Sequence, residues 1–248
     1  MNRIRTTLAV TSLTLLAGSA GAAVSFFDGV FNNSDWNEIV FTNADGIGST
    51  TSVGQNISGG NPNEFRFINM TLVSSAPGGA VFSLNLNANA FYNPSSQGYI
   101  SAIDYSEDSI NFLPNSGDGQ GTGLLIMQGG KIYIQRNPVL VMPAPNFSNW
   151  APNAAPNLQA SDLWELSSTG TLNSSSNPDF TITGGLMQFG FYRGASSGNF
   201  VGTGFREAGI DNWNVRILPT PATTMLLGSA GLLAMKRRRP EVSKNDAE

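Results

Sequence analysis

Nine consecutive residues, Phe82-Ser83-Leu84-Asn85-Leu86-Asn87-Ala88-Asn89-Ala90, alternate without a break between apolar and small polar side chains. A helix would spread that pattern around its whole circumference. A strand instead places Phe82, Leu84, Leu86, Ala88 and Ala90 on one face and the Ser/Asn set on the other, which predicts a half-buried strand. The rest of the chain agrees with this reading. No segment before the C-terminal tail sustains a helical period. With 28 Gly, 13 Pro and only 12% charged residues, the chain also lacks the Lys, Glu and Arg that surface helices need on their wet faces. The hydrophobic fraction of 40% is still enough to build a core.

Further strands are expected at short spacing: 25–31, 38–42, 64–73, 99–105, 109–113, 123–128, 131–136, 139–142, 163–166, 180–183, 185–193 and 209–218. Gly129-Gly130 supplies the positive φ angles of a tight hairpin. Residues 43–63 read as a Gly/Ser/Thr/Asn-rich loop. Residues 143–160, with Pro143, Pro145, Pro152 and Pro156, read as a long surface loop, because proline cannot donate to a sheet ladder. In the last strand Asp211 shares a face with Trp213, Val215 and Ile217, and a carboxylate there needs a partner. About ten to twelve short antiparallel strands joined by Gly/Asn/Pro turns make an all-β sandwich or jelly roll, one domain over residues 24–218.

The two ends have a different character. Residues 1–23 read as a signal peptide, with Arg3 and Arg5 before an apolar core and Ser19-Ala20-Gly21-Ala22-Ala23 as the small-residue site for signal peptidase. An uncleaved anchor is the alternative, but the apolar core is short for a span. Export through the Sec pathway follows. At the other end, Pro219-Thr220-Pro221 precedes an apolar segment, residues 222–235, and the basic run Lys236, Arg237, Arg238 and Arg239; residues 240–248 form a polar tail. Fourteen residues make a helix of about 21 Å against roughly 30 Å of hydrocarbon. That suits transient membrane contact, held by the basic run on the cytoplasmic side, better than permanent anchoring. The alternative is an amphipathic tail packed on the domain.

Composition also excludes chemistries. Cys and His are both absent, which removes disulfides, thiol catalysis, Cys/His zinc sites, haem ligation and a Ser-His-Asp triad. Between the ends, six basic residues stand against fourteen acidic ones, a net charge of −8 over residues 24–218. An acidic body argues against nucleic acid as a partner.

Gly59-Gly60-Asn61-Pro62, Phe189-Gly190-Phe191-Tyr192 and Gly209-Ile210-Asp211-Asn212-Trp213-Asn214-Val215 resemble segments of the concanavalin-A-like or laminin-G-like jelly rolls of exported bacterial surface proteins. The tail, residues 219–239, resembles the PEP-CTERM sorting signal, with Thr220 where the usual glutamate stands. That resemblance implies an exosortase-like membrane transpeptidase as partner and the cell envelope, cell surface or extracellular matrix as destination.

Carboxylates are the chemistry that remains. Asp104-Tyr105-Ser106-Glu107-Asp108, followed by Asp118, can gather oxygen ligands for Ca²⁺ or form a solvated turn. Asp28 and Asp211 can share a structural Ca²⁺ if the first and last strands are neighbours, or each can cap a loop. Trp150, with Tyr92 and Asn93, is the candidate for stacking on and hydrogen-bonding a sugar, against a packing role; Trp36, Trp164 and Trp213 read as core. No Glu-x-Asp-x-Glu spacing of the kind found in glycan-cleaving relatives of this fold occurs. The expected function is a non-catalytic exported surface protein, with extracellular polysaccharide binding as the alternative and a polysaccharide-active enzyme third. If the tail is processed, mass spectrometry of protein recovered from its native envelope finds a C-terminus between Pro219 and Pro221; an intact Glu248 in the mature pool contradicts this.

Overall fold

The structure, a computed structural model, describes residues 22–112, 120–137, 139–141 and 149–220. The expected signal peptide up to residue 21, Asp118, the apolar segment, the basic run and the polar tail lie outside the described residues, so the signal helix and the C-terminal apolar helix do too. Among the described residues no helix is long and apolar enough to cross a membrane.

Fourteen strands are seen among these residues. The first seven are β1 (Val24–Asp28), β2 (Trp36–Thr42), β3 (Thr50–Gly60), β4 (Asn63–Ser74), β5 (Ala80–Tyr92), β6 (Ile100–Asn111) and β7 (Gln120–Gln128). The others are β8 (Lys131–Gln135), β9 (Val139–Val141), β10 (Ala151–Leu158), β11 (Leu163–Leu166), β12 (Leu172–Asn173), β13 (Met187–Ser196) and β14 (Gly202–Pro219). They form two antiparallel sheets, a β-sandwich. The first has the order β10-β6-β14-β4-β3, with β1 also on β14; the second has β12-β11-β8-β7-β13-β5-β2, with β9 on β7. The long strand β14 lies along β6 on one side, and on the other takes β4 over its first half and β1 over its second.

Several expectations change in the folded chain. Residues 180–183, expected as a strand, form a turn. Most of the stretch 43–63 is strand: β3 closes the edge of the first sheet beside β4. The proline-rich stretch is not all loop, because β10 pairs with β6. Its prolines are tolerated since it is an edge strand, where a missing N–H costs no ladder bond. The acidic cluster lies inside one continuous strand, β6, not in a turn. Alternation sends Tyr105, Glu107 and Ser109 inward and Asp104 and Asp108 to the opposite face, so these carboxylates do not converge. Finally, Asp211 does not share a face with Trp213. The register slips between Asp211 and Asn214, and Asn212 takes a positive φ of 49°, so Asp211 sits beside Asp108 while Trp213, Val215 and Ile217 enter the core.

The alternation in β5 is present, but its polar face is the one between the sheets. Ser83, Asn85 and Asn87 are buried there, and Leu84 and Leu86 point to the far side of the second sheet. That far side is a second apolar cluster, made with Leu125, Ile132, Ile134, Leu166 and Tyr192. It stays dry because the sheet curls. The β11–β12 turn reaches the opposite edge so closely that a Cβ on Gly170 would lie 2.8 Å from the backbone N of Asn43, just beyond β2. Ala88 and Ala90 leave the apolar face because the β5–β13 register shifts from Leu86↔Gly190 to Phe91↔Gln188, and Ala90 and Tyr92 then join the main core.

Between the sheets the contacts are partly polar, and they cross from one sheet to the other. Glu107 on β6 accepts hydrogen bonds from the hydroxyls of Tyr105, Ser109 and Thr122, the last of these on β7. The Arg193 Nη2 on β13 lies 4.0 Å from the Glu107 Oε1 and donates to the Ser109 Oγ and the Gly209 carbonyl. Arg66 on β4 donates from Nε to the Asn85 Oδ1 on β5 and lies over the Trp36 ring. Thr51 on β3 donates to Glu38 on β2. Burial lowers the pKa of both arginines, that of Arg66 to about 10, and burial together with Glu107 raises Tyr105. Replacing Glu107 by Leu strands the Arg193 charge without its carboxylate and should cost about 3–5 kcal/mol. The double replacement Glu107→Leu with Arg193→Met should recover most of that loss, as read by urea unfolding.

Candidate functional site

Where β5 loses its pairing with β13, Asn89 and Ala90 are left without a ladder partner while Asn87 stays opposite Trp36 on β2, and a groove of about 400 Å³ lies against this stretch. One wall is β1 and the loop after it, which supply Phe27, Asp28 and Asn32. The other is the bulged part of β5, and Asp35 and Trp213 complete the lining. Phe27 is 66% exposed, its ring lying beside Gly29.

The polar groups are held by one another. Asp35 accepts from the Asn32 Nδ2 (3.2 Å) and the Asn89 Nδ2 (3.3 Å), and the Asn87 Oδ1 accepts from the Asn89 backbone N–H. Asp28 is fully engaged. Its Oδ1 accepts from the backbone N–H groups of Val30 and Phe31 (2.8 Å each), and its Oδ2 accepts from the Trp36 Nε1 (2.7 Å). This is the loop cap that an Asp-Gly turn favours, and it holds Phe31 at a positive φ of 58°. The Trp213 side chain is buried, and its Nε1 is a donor with no partner. Among the described residues no lysine or arginine lines the groove. The surface therefore offers carboxylate and amide acceptors, amide donors and an exposed ring, and it disfavours anions.

The first and last strands are neighbours, with Asp28 opposite Trp213. Even so, the carboxylates of Asp28 and Asp211 are taken up by donors. Asp211 accepts from the backbone N–H of Asn61 and of Asn212. Its burial pushes its pKa up; the two backbone bonds act against that, while Asp108 and Asp28 add to it. Among the described residues no group of three or more acidic, histidine or cysteine side chains could hold a metal ion.

The three sugar-contact candidates do not line the groove: Tyr92 and Asn93 sit together at the short helix after β5, and Trp150 packs elsewhere. The Trp150 Nε1 donates to the Gly59 carbonyl (2.9 Å), and its ring meets Phe65 edge-on at 5.3 Å between centroids. Tyr92 is buried and donates its hydroxyl to the Gln97 and Gly98 carbonyls. Asn93 caps the short helix Pro94–Gln97 by accepting from Ser95. Of the other tryptophans, Trp36 and Trp213 are core and Trp164 is half-buried beneath Arg136. Of the residues singled out from sequence, only Asp28 and Trp213 reach the groove. Phe27, Asn32, Asp35, Asn87 and Asn89 were missed, and the one local signal was the Phe26-Phe27 pair beside Asp28-Gly29.

The sequence matches no family model and no curated protein. Solved structures do resemble it. One is the CBM22-1 xylan-binding domain of Paenibacillus barcinonensis Xyn10C: 8% identity, TM-score 0.34, 82% of this chain and 97% of that one. Another is the mannan-recognising carbohydrate-binding module TmCBM27: 10% identity, TM-score 0.37, 79% and 97%. A third is a Clostridium thermocellum Xyn10B structure carrying CBM22-1 and GH10 modules with xylohexaose: 7% identity, TM-score 0.31, 81% and 28%.

The bond pattern around Asp28 is testable. Asp28→Ala leaves the Trp36 indole and two backbone N–H groups without an acceptor and should cost about 1–3 kcal/mol in chemical unfolding.

Proposed function

We propose that this chain is an exported, non-catalytic binding protein whose β-sandwich holds a neutral extracellular polysaccharide in the β1–β5 groove. The groove itself is the observation that carries this. Its volume falls within the usual range of small-ligand sites. Sugar hydroxyls donate and accept at once, which matches Asp35 as acceptor and the Asn32, Asn87 and Asn89 amides as both. An aromatic face such as Phe27 suits the C–H face of a pyranose. Two carboxylates without a cation favour neutral over acidic glycans. In this reading Asp28, with three hydrogen bonds already made, shapes the groove by capping its loop.

Delivery belongs to the same proposal. The signal peptide exports the chain, and the PEP-CTERM-like tail, residues 219–239, presents it to an exosortase-like transpeptidase, so that the domain works at the cell surface or in the matrix around it. Of the earlier alternatives, polysaccharide binding has the support of a built groove.

A glycan array of neutral and acidic polysaccharides, run with and without chelator, tests the reading. Binding to neutral glycans is expected in both conditions, and Phe27→Ala and Asn89→Ala should each weaken it about ten-fold, or ~1.4 kcal/mol, with the melting temperature kept. No binding to any glycan, or equal binding by the variants, would sink the proposal.

A further inference from the structure

The chain leaves the sandwich at an end that carries an apolar rim. Thr220 donates its backbone N–H to the Tyr99 carbonyl (2.9 Å), and Pro219 lies opposite Ile100, which donates in turn to the Phe180 carbonyl (2.9 Å). The turn that follows Phe180 is pinned to the end of β7: the Gln128 amide donates to the Asp179 and Gly185 carbonyls and accepts from the Asp179 N–H. Tyr99, the 180–186 turn and the exit at Thr220 therefore share one end of the fold. At this end Ile182 is 54% exposed, Leu186 55% and Tyr99 37%, and Phe91, opposite Gln188, is 40% exposed.

Residues 180–186 contain no charged side chain. The nearest carboxylate, Asp179, is occupied by the Thr181 N–H and by the hydroxyls of Thr181 and Thr183. Lys131, on the neighbouring hairpin, is paired with Glu165. Asp179 keeps its charge, so the rim gathers two aliphatic side chains and an aromatic one beside a single carboxylate turned to its own threonines. What covers them is indicated by the sequence after Thr220. The apolar segment begins at Ala222, two residues on, which is about 7 Å of extended chain.

We propose that this end of the sandwich is a bilayer-contacting collar, in which Tyr99, Ile182 and Leu186, flanked by Phe91, rest in the headgroup region of the membrane that residues 222–235 enter. The proposal rests on the reading of that segment as membrane-entering. A tether of two residues leaves the domain no room to stand off from the surface. A tyrosine suits the interface, where its ring is apolar and its hydroxyl wet. The collar would orient the domain while the tail is attached and hold the Pro219-Thr220-Pro221 boundary at a constant height for the transpeptidase.

The chain has no cysteine, so single reporters are clean. Full-length Ile182→Cys, Gly228→Cys and Ile57→Cys, each carrying an environment-sensitive fluorophore, are reconstituted in liposomes of phosphatidylcholine and phosphatidylglycerol containing a spin-labelled lipid quencher. Ile57 is the control, since it is 77% exposed on another part of the fold. The collar requires quenching at 182 and 228 but not at 57, and a reduction at 182 when Leu186→Ser is added. Quenching at 228 alone overturns the collar and leaves the tail reading standing. Quenching at neither position overturns both, and equal quenching at all three means unoriented adsorption and overturns the collar.

Discussion

Glu107 places a carboxyl group in the buried space between the sheets, and much of the sandwich is arranged around that fact. Three hydroxyls donate to it, and Arg193, itself fully buried, stands within 4.0 Å. Two of these partners, Thr122 and Arg193, come from the opposite sheet, so satisfying one charge also sets how the sheets lie on each other. Arg66 with Asn85, and Thr51 with Glu38, repeat the device nearer the edge. Apolar side chains can slide over one another at little cost, whereas displaced buried polar partners lose both their hydrogen bonds and their hydration.

That choice of interior has a consequence on the far side of the second sheet. With Ser83, Asn85 and Asn87 turned toward Arg66 and the main core, Leu84 and Leu86 must be covered from outside. The curl that brings Gly170 against Asn43 does so. The groove arises from the same strand. Where β5 gives up its pairing with β13 after Leu86, Asn89 leaves the ladder and donates to Asp35, beside the loop that Asp28 caps. The groove here is a local failure of regular pairing, stabilised by an aspartate and an indole.

The class of fold was legible because alternation is a local property. The period of two in residues 82–90, the Gly129-Gly130 hairpin and the scarcity of helix-forming charged residues all act within a few positions. Misreadings came where pairing overrode local preference. Residues 50–60 look like a loop, and β4 makes them a strand; Pro152 and Pro156 look forbidden, and an edge position admits them. The acidic run of 104–108 looks convergent, and extension splits it between faces. The site was legible only at Asp28. Trp150, Tyr92 and Asn93 were sensible choices by residue type, but each had local partners that nothing in the sequence announces.

The sequence alone determined that this chain is an all-β protein without cysteine or histidine chemistry, and it marked the two ends as different in kind from the body, because composition, period and charge order need no partner to be read. Tertiary structure decided which face of β5 is inside, which carboxylates are occupied, and where a groove and an apolar rim remain open. Those outcomes depend on register. One bulge in β14 separates Asp211 from Trp213, and one slip in β5 exposes Asn89, and register is fixed only when the strands from distant parts of the chain meet.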